Sequence, residues 1–297
     1  MSTIPGFTRQ FLSGDGVTLS VQRAGAGEPL VLLHGYPQTG MAWHRVAPAF
    51  AAQFEVIVPD LRGYGLSEAP ADDPAHLTYA KRQMARDLVA LMDALRLPSA
   101  HVLGHDRGGR VAYRFALDHP KRLKKLGIIE IATTLDYWEA WGREMALAAW
   151  HWTFLAQEAP LPERMILADP QGWLDWVLSA WSGNKDLGAF APEALASYRA
   201  QMADPARVAA TCADYRSGAG PDRTHDLADR AAGRKITTPL HFLWGRHGFA
   251  ARTGNPAALW RKWAERVTDS QCEAGHFVME EAPEAVLGAF LPFFAGR

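Results

Sequence analysis

Short apolar runs that alternate with stretches of helical periodicity constrain this chain more than any other feature. Runs at residues 17–22, 29–33, 54–59 and 101–104 read as strands, and 123–131 as a further strand buried on both faces. Between them, 41–53 and 79–95 carry apolar residues at helical spacing. Strand, helix, strand and helix resume at 240–244, 256–266, 270–273 and 283–294. Such alternation predicts a mostly parallel sheet with helices on its faces.

The stretch 132–234 breaks this rhythm, because it shows helical patterns without convincing strands. It holds seven of the eleven tryptophans: Trp138, Trp141, Trp150, Trp152, Trp173, Trp176 and Trp181. Large rings at this density fill a small helical core. The expected organisation is one core domain, 1–131 with 235–297, interrupted by a helical cap at 132–234. A length of 297 residues fits one main domain with an insertion. Lys plus Arg (31) nearly balances Asp plus Glu (32), leaving no excess positive charge for nucleic acid or anionic lipid. No run of about 18 apolar residues and no leader pattern occurs, so no membrane partner is expected and the chain reads as soluble and cytoplasmic. Cys212 and Cys272 read as packing residues. No Cys/His cluster has zinc spacing, and His101 and His105 share a strand without further ligands, so no metal is expected.

The run 101–104 ends in Gly104-His105-Asp106-Arg107-Gly108, directly before a helical pattern. This Gly-x-nucleophile-x-Gly arrangement is the sharp turn that presents a nucleophile at the top of an α/β-hydrolase sheet. The predicted fold is therefore α/β: an α/β-hydrolase fold with a mostly parallel eight-stranded sheet, flanking helices and the inserted cap. Asp in place of Ser narrows the chemistry. A carboxylate attacking an ester or amide would give an anhydride, whereas attack on a saturated carbon expels a leaving group and gives an alkyl ester that water can hydrolyse. The first step needs no base. The second does, and His276, just past the last predicted strand, stands where this fold carries its histidine. A carboxylate orienting it should lie between nucleophile and base. Glu130 ends a predicted strand and fits, with Asp136 as the fallback. The turn after the next strand, residues 244–248, offers no acid. Backbone N–H groups of Tyr36, in a His-Gly-x-Pro turn, and of Arg107 are the expected oxyanion donors, while His34 and His105 read as structural.

Arg107 and Arg110 stand three apart on the helix after Asp106 and share a face, which makes a receptor for a substrate carboxylate. With them, the whole chain resembles the haloacetate dehalogenases, specifically the fluoroacetate dehalogenases. The resemblance runs through 34–39, Trp43 and His44, 104–110, Tyr137 and Trp138, His151 and Trp152, 214–216, and Gly275 with His276. It implies Asp106 as nucleophile, His276 as the base that activates water, and Arg107 with Arg110 as carboxylate binders. It also implies a halide site of His151, Trp152 and Tyr215, whose N–H and O–H donors suit a compact leaving anion. A homodimer and a small haloacid substrate follow from the same resemblance, and no cofactor is expected because the displacement requires none. One residue departs from the pattern: the family carries Asp where this chain has Glu130, although related haloalkane dehalogenases use Glu there.

Two other readings stay open. An epoxide hydrolase shares the fold and the Asp nucleophile, with Tyr137 or Tyr215 protonating the epoxide oxygen. The arginine pair would have no use against a neutral epoxide. The second is a sensor on the same scaffold that binds a small acid without turnover. The complete set Asp106, His276 and Glu130 argues against it.

Overall fold

The computed structural model describes residues 2–296. Among the described residues eight strands form one sheet: β1 (Thr8–Ser13), β2 (Thr18–Ala24), β3 (Glu28–Leu33), β4 (Phe54–Pro59), β5 (Ala100–His105), β6 (Leu123–Ile129), β7 (Leu240–Gly245) and β8 (Val267–Cys272). Their order is β1-β2-β4-β3-β5-β6-β7-β8. The pairs β1/β2 and β2/β4 are antiparallel and all others parallel, so the sheet is mostly parallel, as the alternation of runs implies.

Burial explains which strands the apolar pattern reveals. Every residue of β5 is buried, as are the last four of β3 and of β6, because helices cover both faces there. The edge strands β1 and β8 are largely exposed, which leaves them without an apolar run. For that reason β1 has no counterpart in the sequence reading, and β8 begins three residues before the expected 270. The expected helix at 41–53 is divided into a 3-10 turn (Gly40–Trp43) and α1 (Ala47–Ala51). Helix α2 (Lys81–Ala94) buries Met84, Ala85, Leu88, Leu91 and Met92 on one side, the stripe that its spacing predicts. Helix α3 (Asp106–Asp118) is buried along nearly its whole length, since it runs between the sheet and other helices.

All of residues 134–231 lies between β6 and β7 and folds into eight helices. They are α4 (Thr134–Glu139), α5 (Arg143–Ala148), α6 (His151–Leu155), α7 (Leu161–Ala168), α8 (Pro170–Trp181), α9 (Pro192–Met202), α10 (Pro205–Ala219) and α11 (Pro221–Ala231). The chain closes with α12 (Pro256–Trp263), α13 (Val278–Glu281) and α14 (Pro283–Ala295). One apolar cluster joins insertion and sheet, with Leu155, Leu174, Leu178 and Tyr198 in the same core as Leu32, Val102 and Ile128. The tryptophans of the insertion follow suit: Trp152 and Trp181 are buried, while Trp176 remains 48 % exposed. Among the described residues no helix is long and apolar enough to cross a membrane. None of their His, Cys, Asp and Glu side chains gather in threes to hold a metal ion.

Candidate active site

Strand β5 ends at His105 and α3 starts at Asp106, whose φ of 46° lies in the left-handed region that a side chain normally avoids. A strained residue of this kind costs of order 1–3 kcal/mol and persists only where its surroundings impose it. Two glycines do so. A Cβ on Gly104 would sit 2.5 Å from the carbonyl oxygen of Gly108, and one on Gly108 would sit 2.4 Å from those of Leu33 and His34. The helix therefore packs closer to β3 and β5 than any other residue allows, and Asp106 is lifted above the ends of the strands.

Asp106 is 6 % exposed. Its Oδ1 accepts the Tyr36 backbone N–H at 2.8 Å, while Oδ2 lies 3.8 Å from Nε2 of His276, beyond hydrogen bonding. Burial pushes the Asp106 carboxyl up, but His276, His105, Arg107 and Arg110 together outweigh it and hold the group below its ordinary value. It is an anion at neutral pH. Of the two expected oxyanion donors, only the Tyr36 N–H makes a hydrogen bond to this carboxylate among the described contacts.

His276 is buried, and its ring is enclosed by His105, Phe249, Phe277 and Trp181 at centroid distances of 4.7, 5.2, 5.1 and 5.7 Å. Burial, reinforced by His105, brings the imidazole down to about 3, so it is neutral and able to accept a proton. The expected bond from Glu130 is not made. Among the described residues neither ring nitrogen of His276 has a hydrogen-bond partner. Glu130 instead accepts the N–H groups of Gly245 at 2.6 Å and Ala250 at 2.9 Å, in the loop after β7. Its backbone has φ of 58°, and burial pushes its carboxyl up to about 8 against those two N–H groups. The fallback Asp136 is engaged elsewhere, accepting from Thr133 Oγ1 at 2.6 Å and Trp263 Nε1 at 2.5 Å. His34 accepts the Leu61 N–H at 3.1 Å, and His105 donates to the carbonyl of His276 at 2.8 Å. Both histidines hold backbone, which fits a structural role.

The arginines differ from one another. Arg107 is fully buried and gives Nε and Nη2 to the Asp214 carboxylate at 3.1 and 2.5 Å, and Nη2 also to the Asp214 carbonyl at 2.8 Å. Asp214 further accepts from Tyr64 Oη at 2.7 Å and pairs with the buried Lys81. Although burial opposes it, the two cations Arg107 and Lys81 hold this carboxyl far below the usual range. Arg110 gives Nη1 only to neutral acceptors, the Ala132 carbonyl at 3.1 Å and Thr134 Oγ1 at 3.2 Å. Among the described residues Arg107 Nη1 and Arg110 Nε are buried without a partner.

Helices α6 and α10 bring His151, Trp152 and Tyr215 over these groups, all three buried. Tyr215 stands edge-on to His151 and Trp152 at 5.8 and 5.9 Å, and Nδ1 of His151 has no partner. The Arg107 guanidinium lies 4.4 Å from the Tyr215 ring, and that of Arg110 4.4 Å from Trp152. Trp152 also stacks on Tyr137 at 4.3 Å. Burial, above all, sends the His151 imidazole well below its ordinary value. Lys81, Tyr64, Trp181 and Phe249 also belong to this site but are not legible in the sequence, since a lone Lys at a helix start or a Trp among seven carries no local signal. Asp214 was visible only within the matched segment 214–216.

Comparison with known proteins agrees with this geometry at the level of the family. Residues 28–283 match the alpha/beta hydrolase fold. A fluoroacetate dehalogenase from Burkholderia sp is 38 % identical over 94 % of this chain and 91 % of its own. A soluble epoxide hydrolase from Corynebacterium sp. (strain C12) is 35 % identical over 95 % of both. The crystal structure of ALR0039 from Nostoc sp PCC 7120 superposes with a TM-score of 0.95 at 43 % identity, covering 98 % of this chain and 99 % of that one.

Proposed function

The chain belongs to the alpha/beta hydrolase fold family, and from that premise we propose that it hydrolyses the carbon–halogen bond of a small haloacid, with fluoroacetate preferred among haloacetates. In this reading residues 132–234 form a cap over a core of 1–131 and 235–297. The substrate carboxylate rests on Arg110 and on Nη1 of Arg107. Oδ2 of Asp106 attacks the neighbouring carbon in line, a carbon–oxygen bond forms, and the carbon–halogen bond breaks with its electron pair leaving on the halide. His151, Trp152 and Tyr215 donate hydrogen bonds to that anion.

The product of this step is an ester of Asp106, whose carbonyl oxygen is Oδ1. His276 then takes a proton from water as the water oxygen attacks the ester carbon. Negative charge collects on Oδ1, where the Tyr36 N–H already points and the Arg107 N–H is the proposed second donor. Collapse expels the glycolate alkoxide, which takes the proton back from His276. The Asp106 carboxyl, now carrying one oxygen from water, releases the second water proton to solvent and is an anion again.

The observation that carries this substrate assignment is the pair of buried, unpartnered nitrogens, Arg107 Nη1 and Arg110 Nε, beside the nucleophile. Leaving charged donors buried and unsatisfied costs several kcal/mol, and a bound carboxylate removes that cost. A neutral epoxide would not. The epoxide hydrolase reading is nonetheless favoured by the 35 % identical relative and by buried Tyr137 and Tyr215, which could protonate an epoxide oxygen. Fluoride release from fluoroacetate, measured beside diol formation from styrene oxide, separates them. Fluoride is the expected product, and diol alone would overturn the assignment.

A further inference from the structure

We propose that Glu281 is the positioning residue for the base, holding His276 in place through its backbone rather than through its ring. The carboxylate of Glu281, at the end of α13, accepts the N–H of Gly275 on Oε2 at 2.8 Å and that of Phe277 on Oε1 at 2.9 Å. These peptides flank His276 on either side. Oε2 also accepts the N–H of Gly183 at 2.7 Å, from the segment just beyond α8. The remaining polar groups of the His276 backbone are bound as well: its N–H donates to the Trp181 carbonyl at 2.9 Å, and its carbonyl accepts from His105 Nε2 at 2.8 Å.

Three consecutive peptides are thus fixed, while neither nitrogen of the imidazole is held. The acid that chain order offers to this base, Glu130, is bound to the loop after β7. Glu281 alone accepts three N–H groups here, two of them flanking His276, and so ties both sides of the base to one side chain. Gly183 and Trp181 both belong to the helical insertion. The same carboxylate therefore sets the base against the nucleophile and against the helices above it.

The two-step chemistry provides the test, and the inference rests on the Asp106 ester of the preceding section. Attack by Asp106 needs no base, whereas hydrolysis of the ester does. Loosening His276 slows the second step alone. Glu281→Ala and Glu281→Gln in the full chain are compared with wild type in single turnovers of fluoroacetate. Halide reports the first step, glycolate the second, and intact mass shows the ester between them. Expected are halide release within about twofold of wild type and glycolate formation slower by about 10- to 100-fold for Glu281→Ala, the range for a misplacement of about 1 Å. Glu281→Gln keeps one acceptor oxygen and falls between. The halide amplitude counts competent protein, so poor folding of one variant lowers amplitude without changing the ratio of the two rates. Halide and glycolate falling together, or both staying at wild-type rates, would overturn the proposal. Run with styrene oxide, where intact mass reports ester formation and diol reports its hydrolysis, the comparison keeps the two readings apart. A wild type that forms its ester only from the epoxide refutes the substrate assignment and leaves Glu281 standing, whereas one that forms no ester from either removes both.

Discussion

Replacing Glu130 by Gln distinguishes a carboxylate that orients His276 from one that holds the loop after β7. The Glu130 carboxyl, at about 8, favours its protonated form over the carboxylate by about ten to one at pH 7. Gln matches that neutral acid in shape but offers one carbonyl oxygen to the N–H groups of Gly245 and Ala250, so one of them loses its acceptor. At pH 5 the variant should be less stable by about 1–2 kcal/mol. A carboxyl raised by folding contributes stability that is fully present below its ordinary value of 4.5 and is lost as pH rises through about 8. The slope is about 1.4 kcal/mol per pH unit, so the wild type loses up to about 4 kcal/mol between pH 5 and 8 that the variant does not. Their order of stability should reverse, with Glu130→Gln the more stable at pH 8. The opposite titration of His276, which costs stability as pH falls from 6.5 towards about 3, is common to both proteins and cancels. Urea unfolding at the two pH values reads the stability, and single-turnover hydrolysis of the ester reads the chemistry. Amidating a carboxylate that orients a catalytic histidine costs about 10⁴-fold in a serine protease. Here, with Nδ1 of His276 unpartnered, less than about tenfold is expected. Stability curves that stay parallel, or hydrolysis slowed a thousandfold, would refute this account of Glu130.

His276→Ala removes the base but not the nucleophile, so the ester on Asp106 should accumulate as an added carboxymethyl mass on the intact protein after haloacetate treatment. Protein that binds the acid and stays unmodified would favour the sensor reading. In wild type, an imidazole brought down to about 3 stays neutral at pH 5, so ester hydrolysis should hold its rate from pH 8 to about 5. An inflection near 6.5 in single turnovers would contradict that. Arg110→Met should lower kcat/KM for chloroacetate by roughly 30- to 1000-fold, the range for a charge-assisted contact worth about 2–4 kcal/mol. Turnover of neutral chloroacetamide should change little, and an equal loss on both substrates would remove Arg110 from carboxylate binding.

How much of this protein its sequence discloses depends on whether the governing interaction is local. The continuous apolar runs of β3, β5 and β6 are legible because strands buried on both faces need such side chains all along. The turn at Asp106 is legible because the close backbone contacts of Gly104 and Gly108 exclude other residues. Edge strand β1 is not, since its exposed side chains answer to no core. Arg107 and Arg110 could be set on one helical face from their spacing, but spacing could not show that Asp214, 107 residues further along, occupies most of the first and leaves the second facing neutral groups. Chain order likewise pairs Glu130 with His276, whereas in the fold Glu130 binds the loop after β7. Backbone turns and apolar periodicity are written within a few residues, so the inner strands of the sheet, the elbow and the kinds of groups at the site can be read from the chain alone. Which carboxylate meets which cation or imidazole depends on side chains from distant segments competing for the same few donors in a desolvated space, and that outcome exists only once the chain is folded.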